Sequence, residues 1–97
     1  MTVTSLLDLR FAPDHLEDGP RALSEILADT RAFDGCLGVR VVTDVTDSAH
    51  VVAVERWESL EHDDAYRAWR AGPGASGLGA YLAEPPTLTR FTDDASL

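Results

Sequence analysis

The chain has 97 residues, 44% of them hydrophobic and 26% charged, a balance typical of one ordinary globular domain. Its formal net charge is −9 and all eight basic residues are arginines, which excludes the basic surface that a nucleic acid or an anionic membrane would need. The single cysteine, Cys36, cannot form an intramolecular disulfide, and no apolar stretch reaches the roughly 20 residues of a membrane span. We therefore expect one cytoplasmic domain over residues 1–97, with a frayed tail over 93–97.

The N-terminal third predicts a strand followed by a helix. Apolar and polar residues alternate from Val3 to Phe11, as in a half-buried strand. Asp18 suits a helix cap and Pro20 a first helical turn, and apolar residues then recur at helical spacing at Leu23, Ile26, Leu27 and Phe33. Asp34 and Gly35 are expected to end this helix.

The middle of the chain predicts a β-hairpin. Two valine-rich segments, Cys36 to Val45 and His50 to Glu58, flank the turn-forming residues 46–49. Ser59 is placed to cap a second helix, since carboxylates follow in its first turn, where the helix dipole favours them. The run Gly72-Pro73-Gly74 should break that helix before a short helical piece at 78–82 and a last strand at 87–92.

The element order β-α-β-β-α-β predicts an α+β ferredoxin-like fold, a four-stranded antiparallel sheet with both helices on one face. The other face would be bare, although its strands are rich in valine. A second copy of the same sheet is the simplest symmetric cover, so we expect a homodimer.

Three stretches read together resemble the antibiotic biosynthesis monooxygenase (ABM) family: the first strand ending in Phe11, the turn over 33–38, and Glu55-Arg56-Trp57-Glu58-Ser59 running into a helix. The family's usual turn has proline where this chain has Asp34, and aspartate also serves a turn. The resemblance implies a dimeric α/β barrel with a pocket between sheet and helices in each protomer. It also implies an oxygenase that uses no cofactor, because some members oxidise aromatic polyketides without flavin or metal.

Haem-degrading relatives belong to the same family, and we expect this chain to differ from them. Their site uses an asparagine on the first strand, a tryptophan and a histidine. The asparagine's place falls near Leu7, and although Trp69 could stand for the tryptophan, residues 72–81 hold no histidine to ligate iron.

The candidate site residues lie on the second helix and on the strand before it. His62, Tyr66 and Trp69 share one helix face at i, i+4 and i+7 and, with Trp57, could clamp a flat aromatic molecule as substrate-binding residues. The rings could equally be ordinary core residues.

Glu55 and His62 are the two candidate catalytic bases. Glu55 alternates onto the apolar strand face of Trp57, where it is either a base with a raised pKa or half of a salt bridge to an arginine. His62 can take a phenolic proton near neutral pH, or can be a solvated surface residue.

Two other patterns carry no site. The run His62-Asp63-Asp64 points in different directions on a helix, so no metal site is expected. Residues 72–77 spell G-x-G-x-x-G but follow a helix, which excludes a dinucleotide fold and favours a flexible loop over the pocket. The sequence thus leaves two functions open: a cofactor-independent monooxygenase of aromatic phenols, or a dimeric domain that binds a small aromatic molecule without catalysis.

Overall fold

Four strands and two helices follow one another in the predicted β-α-β-β-α-β order in the computed structural model, which describes residues 1–97. The strands are β1 (Val3–Arg10), β2 (Cys36–Asp44), β3 (Asp47–Trp57) and β4 (Thr87–Thr92), and the helices are α1 (Asp18–Ala32) and α2 (Leu60–Arg70). Two short 3-10 helices, at Pro13–His15 and Leu78–Tyr81, complete the chain.

The sheet has the strand order β2-β3-β1-β4, with every neighbouring pair antiparallel. This topology confirms the α+β ferredoxin-like fold with a four-stranded antiparallel sheet. In the central pair, Val3 lies opposite Trp57, and Ser5 lies opposite Glu55. The odd-numbered residues of β1 and β3 therefore share one face, as the alternation along β1 predicted.

The core lies between that inner face and the two helices. One cluster joins Leu9 and Val51 of the sheet to Leu23 and Leu27 of α1. A second cluster joins Val3 and Trp57 to Tyr66 of α2. Both helices cover the same face of the sheet and bury their apolar stripes against it.

The hairpin turn lies two residues earlier than the sequence predicted. Asp44 pairs with Asp47, so the turn consists of Val45 and Thr46 rather than residues 46–49. The cause is local: the Asp44 carboxylate accepts hydrogen bonds from the Thr46 backbone N–H and hydroxyl, both at 2.8 Å. An aspartate that bonds the backbone two residues on forms its own turn, so β3 begins at once.

The helix α2 begins as predicted, with Ser59 as the N-cap residue whose hydroxyl accepts from the His62 N–H at 3.2 Å. After it, residues 71–77 form a connection that returns to Leu78–Tyr81 and then to β4. Neither helix is long and apolar enough to cross a bilayer.

The outer face of the sheet carries no helix. Its central residues are apolar, and two large hydrophobic side chains stand well out in solvent: Val42 is 43% exposed and Phe91 is 49% exposed. Leu6 lies opposite Val54 across the central strand pair, and Val42 lies opposite Val52. This defines the outer apolar face, made of Leu6, Val42, Val52, Val54 and Phe91.

Candidate functional site

A cavity of about 360 Å³ opens between the inner face of the sheet, α1, α2 and the connection after α2. Its apolar wall consists of Leu7 with Leu23, Ile26 and Leu27. The opposite wall is polar and is formed by Glu55, Tyr66, Arg67 and Arg70, while residues 75–79 close one side. Of the five hollows in the protein surface, this one alone has a buried carboxylate in its wall.

Glu55 is that carboxylate, and it is only 1% exposed. Both of its hydrogen bonds end at one oxygen: the Trp57 Nε1–H donates to Oε1 at 3.1 Å, and Arg67 Nη2 donates to Oε1 at 2.5 Å. Oε2 has no protein partner. Burial raises the pKa of Glu55 above its ordinary value of 4.5, although the Arg67 guanidinium and the indole N–H oppose the rise.

Arg67 joins Glu55 to a second buried acid. Its Nε lies 2.9 Å from Asp63 Oδ1, but the N–H does not point at that oxygen, so the contact is an ion pair without a hydrogen bond. Asp63 is fully buried and accepts a hydrogen bond from the Ser5 hydroxyl at 2.7 Å. A chain of contacts therefore runs from Ser5 through Asp63 and Arg67 to Glu55, beneath α2.

Aromatic rings pack on one another at the end of the sheet beyond Glu55. The ring centroids of Trp57 and Tyr66 are 4.9 Å apart, and Phe33 lies 5.3 Å from both Tyr66 and Trp69. Trp57 has no exposed surface. The Trp57 and Trp69 side chains are not among those that line the cavity, whereas Tyr66 is.

Arg70 connects α2 to α1 and to the connection after α2. Its Nε donates to the Tyr66 hydroxyl at 2.8 Å, its Nη2 donates to the Ile26 carbonyl of α1 at 2.9 Å, and its Nη1 donates to the Gly74 carbonyl at 3.1 Å. The guanidinium also stacks 4.7 Å from the centre of the Trp69 ring. These contacts hold α1, α2 and the connection after α2 at fixed spacing.

His62 lies outside the cavity, at the first turn of α2. Its Nδ1 shares a hydrogen bond of 2.6 Å with the Ser59 hydroxyl, and its Nε2 is 3.6 Å from a Glu58 oxygen. The structure therefore brings Glu55 and Tyr66 to one cavity, and it places Trp57 and Trp69 behind its wall and His62 at a distance from it.

The sequence did not single out Arg67, Asp63 or Arg70. The inward side of α2 carries residues 63, 67 and 70 in addition to Tyr66 and Trp69, so it is wider than the predicted face of 62, 66 and 69. The available signal was the i, i+4 spacing of Asp63 and Arg67 together with the need of Glu55 for a partner.

No three His, Cys, Asp or Glu side chains come together as a group that could hold a metal ion. The polar side chains that a bound small molecule would meet are those of Glu55, Tyr66, Arg67 and Arg70. A cavity with one apolar wall and a few convergent polar groups is typical of a small-molecule site.

Fold and cavity together define a ferredoxin-like domain with a cavity between sheet and helices. The family model described as antibiotic biosynthesis monooxygenase matches residues 2–76. Because that match covers well over half of the chain, the chain belongs to the antibiotic biosynthesis monooxygenase family. A sequence comparison with curated proteins gives no significant match.

Solved structures share the fold over nearly the full length. A conserved protein from Methanosarcina mazei Go1 aligns with a TM-score of 0.83 at 12% identity, covering 97% of this chain and 94% of that one. Rv0793 from Mycobacterium tuberculosis aligns with a TM-score of 0.77 at 24% identity, covering 98% and 99%. SnoaB, a cofactor-independent oxygenase from Streptomyces nogalater, aligns with a TM-score of 0.80 at 15% identity, covering 95% and 92%.

Proposed function

We propose that this chain is a monooxygenase that uses dioxygen to oxidise a small aromatic molecule of the phenol or anthrone type, with Glu55 as the base. The observation that carries the proposal is the free Oε2 of a carboxylate that is 1% exposed and lines the cavity. A buried carboxylate whose pKa is raised is a stronger base than one in water. Membership of the family supports the reaction class.

The proposed reaction needs only the substrate and dioxygen. Glu55 removes a proton from the acidic CH₂ or O–H group, and the resulting anion transfers one electron to dioxygen, leaving a substrate radical and superoxide. Their recombination forms a C–O bond and a peroxide anion, which takes the proton back from Glu55. Loss of water from the resulting hydroperoxide leaves a carbonyl, so that R₂CH₂ and O₂ become R₂C=O and H₂O. The apolar wall keeps water away from the charged intermediates.

The aromatic residues have different parts in this proposal. Tyr66 lies on the cavity wall and contacts the substrate ring, while Trp57 orients Glu55 through its indole N–H. Trp69 supports the wall through its stacking with Arg70 and Phe33. His62 is the weaker of the two candidate bases, because its imidazole is engaged with Ser59 outside the cavity.

The proposed active form is a homodimer that buries the outer apolar face. The charges around this face are largely paired, since Arg10 lies against Asp47, Arg56 against Asp93, and His50 against Asp8 and Asp44. With Arg40 as a further cation, the face is less acidic than the chain as a whole, whose net charge is −9. Two copies can therefore approach through it with less repulsion than through any acidic surface. A small domain also gains core from such a contact.

Oxygen uptake with anthrone as the substrate tests the reaction. We expect consumption of dioxygen and formation of anthraquinone, and we expect Glu55→Gln to lower the rate by about 10²- to 10⁴-fold, since the amide cannot accept the proton. Glu61→Gln is the matched control, because Glu61 is an exposed carboxylate on α2.

Quenching of tryptophan fluorescence by anthrone under nitrogen separates turnover from binding. Quenching without oxygen uptake would overturn the monooxygenase and leave a non-catalytic binding domain. Full activity of Glu55→Gln with loss of activity in His62→Gln would move the base to His62.

A further inference from the structure

We propose that Arg67 binds the oxygen anion that the substrate becomes when it loses its proton, and that Arg67 thereby selects molecules whose acidic group is conjugated with an oxygen. This inference deepens the proposed function and rests on it for the identity of the cavity as the site. It assigns to Arg67 direct contact with the substrate and to Asp63 a positioning role.

The contacts of Arg67 leave one end of its guanidinium free. Nη2 donates to Glu55 Oε1 at 2.5 Å, and Nε lies 2.9 Å from Asp63 Oδ1 in an ion pair without a hydrogen bond. Nη1 has no partner in the protein, although Arg67 lines the cavity and its side chain is 24% exposed. A guanidinium with an unused amino group beside a carboxylate with an unused oxygen offers one donor and one acceptor to the same molecule.

In this arrangement Arg67 can compensate the negative charge both before and after the proton moves to Glu55. Before proton transfer the negative charge is on Glu55, where Arg67 offsets it. After transfer Glu55 is neutral and the charge is on the substrate. A cation that contacts both partners offsets the charge in both states, so the proton moves without leaving an unpaired anion in a buried site.

Asp63 holds the guanidinium in the place that this requires. It is fully buried, which costs free energy unless its charge is paired, and its two oxygens are engaged with Arg67 and with the Ser5 hydroxyl. The Arg90 guanidinium of β4 lies 3.5 Å from the second oxygen. Arg67 is thus fixed by an acid that does not itself line the cavity.

The substrate class follows from the two free groups. A ligand must present a proton to Oε2 and an oxygen to Nη1, and the oxygen must gain negative charge when the proton leaves. Phenols, enols and anthrones conjugated with a carbonyl meet this condition, whereas an apolar arene does not. The apolar wall of Leu7, Leu23 and Leu27 receives the ring system.

Alizarin, a dihydroxyanthraquinone whose colour changes when its phenol ionises, is the probe. It is already a quinone and has no CH₂ group to oxidise, so binding is read without turnover. Near the pH at which half of the free dye is ionised, we expect the ratio of ionised to neutral dye to rise about tenfold on binding, equal to one pKa unit. Arg67→Met should abolish the rise and Arg67→Lys should keep part of it.

Asp63→Asn tests the positioning role, and we expect it to reduce the rise while the dye still binds. Arg21→Met is the matched control, because Arg21 is exposed on α1 and makes no ion pair. Circular dichroism identifies the variants that fold, and if Arg67→Met does not, Arg67→Lys carries the test.

The outcomes separate this inference from the proposed function. A dye that is more ionised in the wild type than in the folded Arg67→Met or Arg67→Lys variant upholds the inference, even if anthrone consumes no dioxygen. In that case only the proposed function fails. Oxygen uptake by a protein whose bound dye is equally ionised with and without Arg67 overturns the inference alone. Failure of the wild type to bind or ionise alizarin also overturns it.

Discussion

Glu55 is held between two opposing influences, since burial disfavours its charge while Arg67 and the Trp57 indole favour it. The pKa of Glu55 is raised, so burial has the larger effect. The folded protein therefore keeps this proton at pH values where the unfolded chain has released it. By linkage, the contribution of Glu55 to the free energy of unfolding falls as pH rises from the ordinary pKa of 4.5 through the folded one.

Glu55→Gln removes this pH dependence and keeps an acceptor for Arg67 and Trp57. We expect the free energy of unfolding of the variant minus that of wild type to be larger at pH 8 than at pH 4, so that the variant is relatively more stable at pH 8. Urea unfolding at the two pH values measures it, with Glu61→Gln as the exposed control. If the free energy of unfolding of Glu55→Gln relative to wild type were larger at pH 4 than at pH 8, the pKa of Glu55 would not be raised.

At the residue scale, the sequence predicted part of this site. The alternation along β3 placed Glu55 on the inner face with Trp57, and the structure has both there. The salt bridge to an arginine, left open beside the base, is present with Arg67. The identity of that arginine was not predictable, because eight arginines were available and only the path of α2 over the sheet selects one.

The connection after α2 owes its path to close packing against Trp69. A Cβ atom added at Gly74 would overlap the indole ring, whereas one added at Gly79 would meet no atom within 4 Å. Gly74→Ala must therefore displace the ring or the backbone, and overpacking of this kind costs about 1–3 kcal/mol.

We expect Gly74→Ala to lower the free energy of unfolding by that amount and Gly79→Ala to change it much less. Urea unfolding of the two variants measures the difference. Equal stability of the pair would show that residues 72–77 do not depend on contact with Trp69.

Element bounds were predictable where a local pattern decides them. The strand β4 begins and ends where the sequence placed it, at Thr87 and Thr92, and Ser59 caps α2 as expected. The hairpin turn was predicted too far along the chain, because the Asp44 carboxylate accepts a hydrogen bond from the Thr46 N–H and forms the turn earlier. The burial of Asp63 and the partial burial of Arg67 on α2 were not predicted, because the ion pair that allows them leaves no mark in the apolar periodicity.

At the scale of the whole molecule, the outer apolar face is the feature that one chain leaves unpaired. Light scattering at micromolar concentration should give about twice the 10.5 kDa of one chain. Val54→Glu places a carboxylate at the centre of this face and should return the mass to that of one chain, because burying it against a second copy costs more than the contact provides.

Ala28→Glu is the matched control, since Ala28 is exposed on α1, away from the sheet. It adds the same charge and should leave the mass at that of two chains. A wild-type mass of 10.5 kDa, or a Val54→Glu mass equal to that of wild type, would rule out assembly through the outer apolar face.

The hydrogen bond from the Trp57 indole to Glu55 has a practical consequence for magnetic resonance. The chain has only two tryptophans, so its ¹H–¹⁵N spectrum contains two indole resonances. One resonance belongs to the Trp57 indole proton, which is donated to Oε1 of the proposed base, Glu55. Its chemical shift therefore follows the charge of the Glu55 carboxylate. The other belongs to Trp69 behind the wall. Two signals thus distinguish protonation at Glu55 from movement of the surrounding framework, without an attached probe or a substitution.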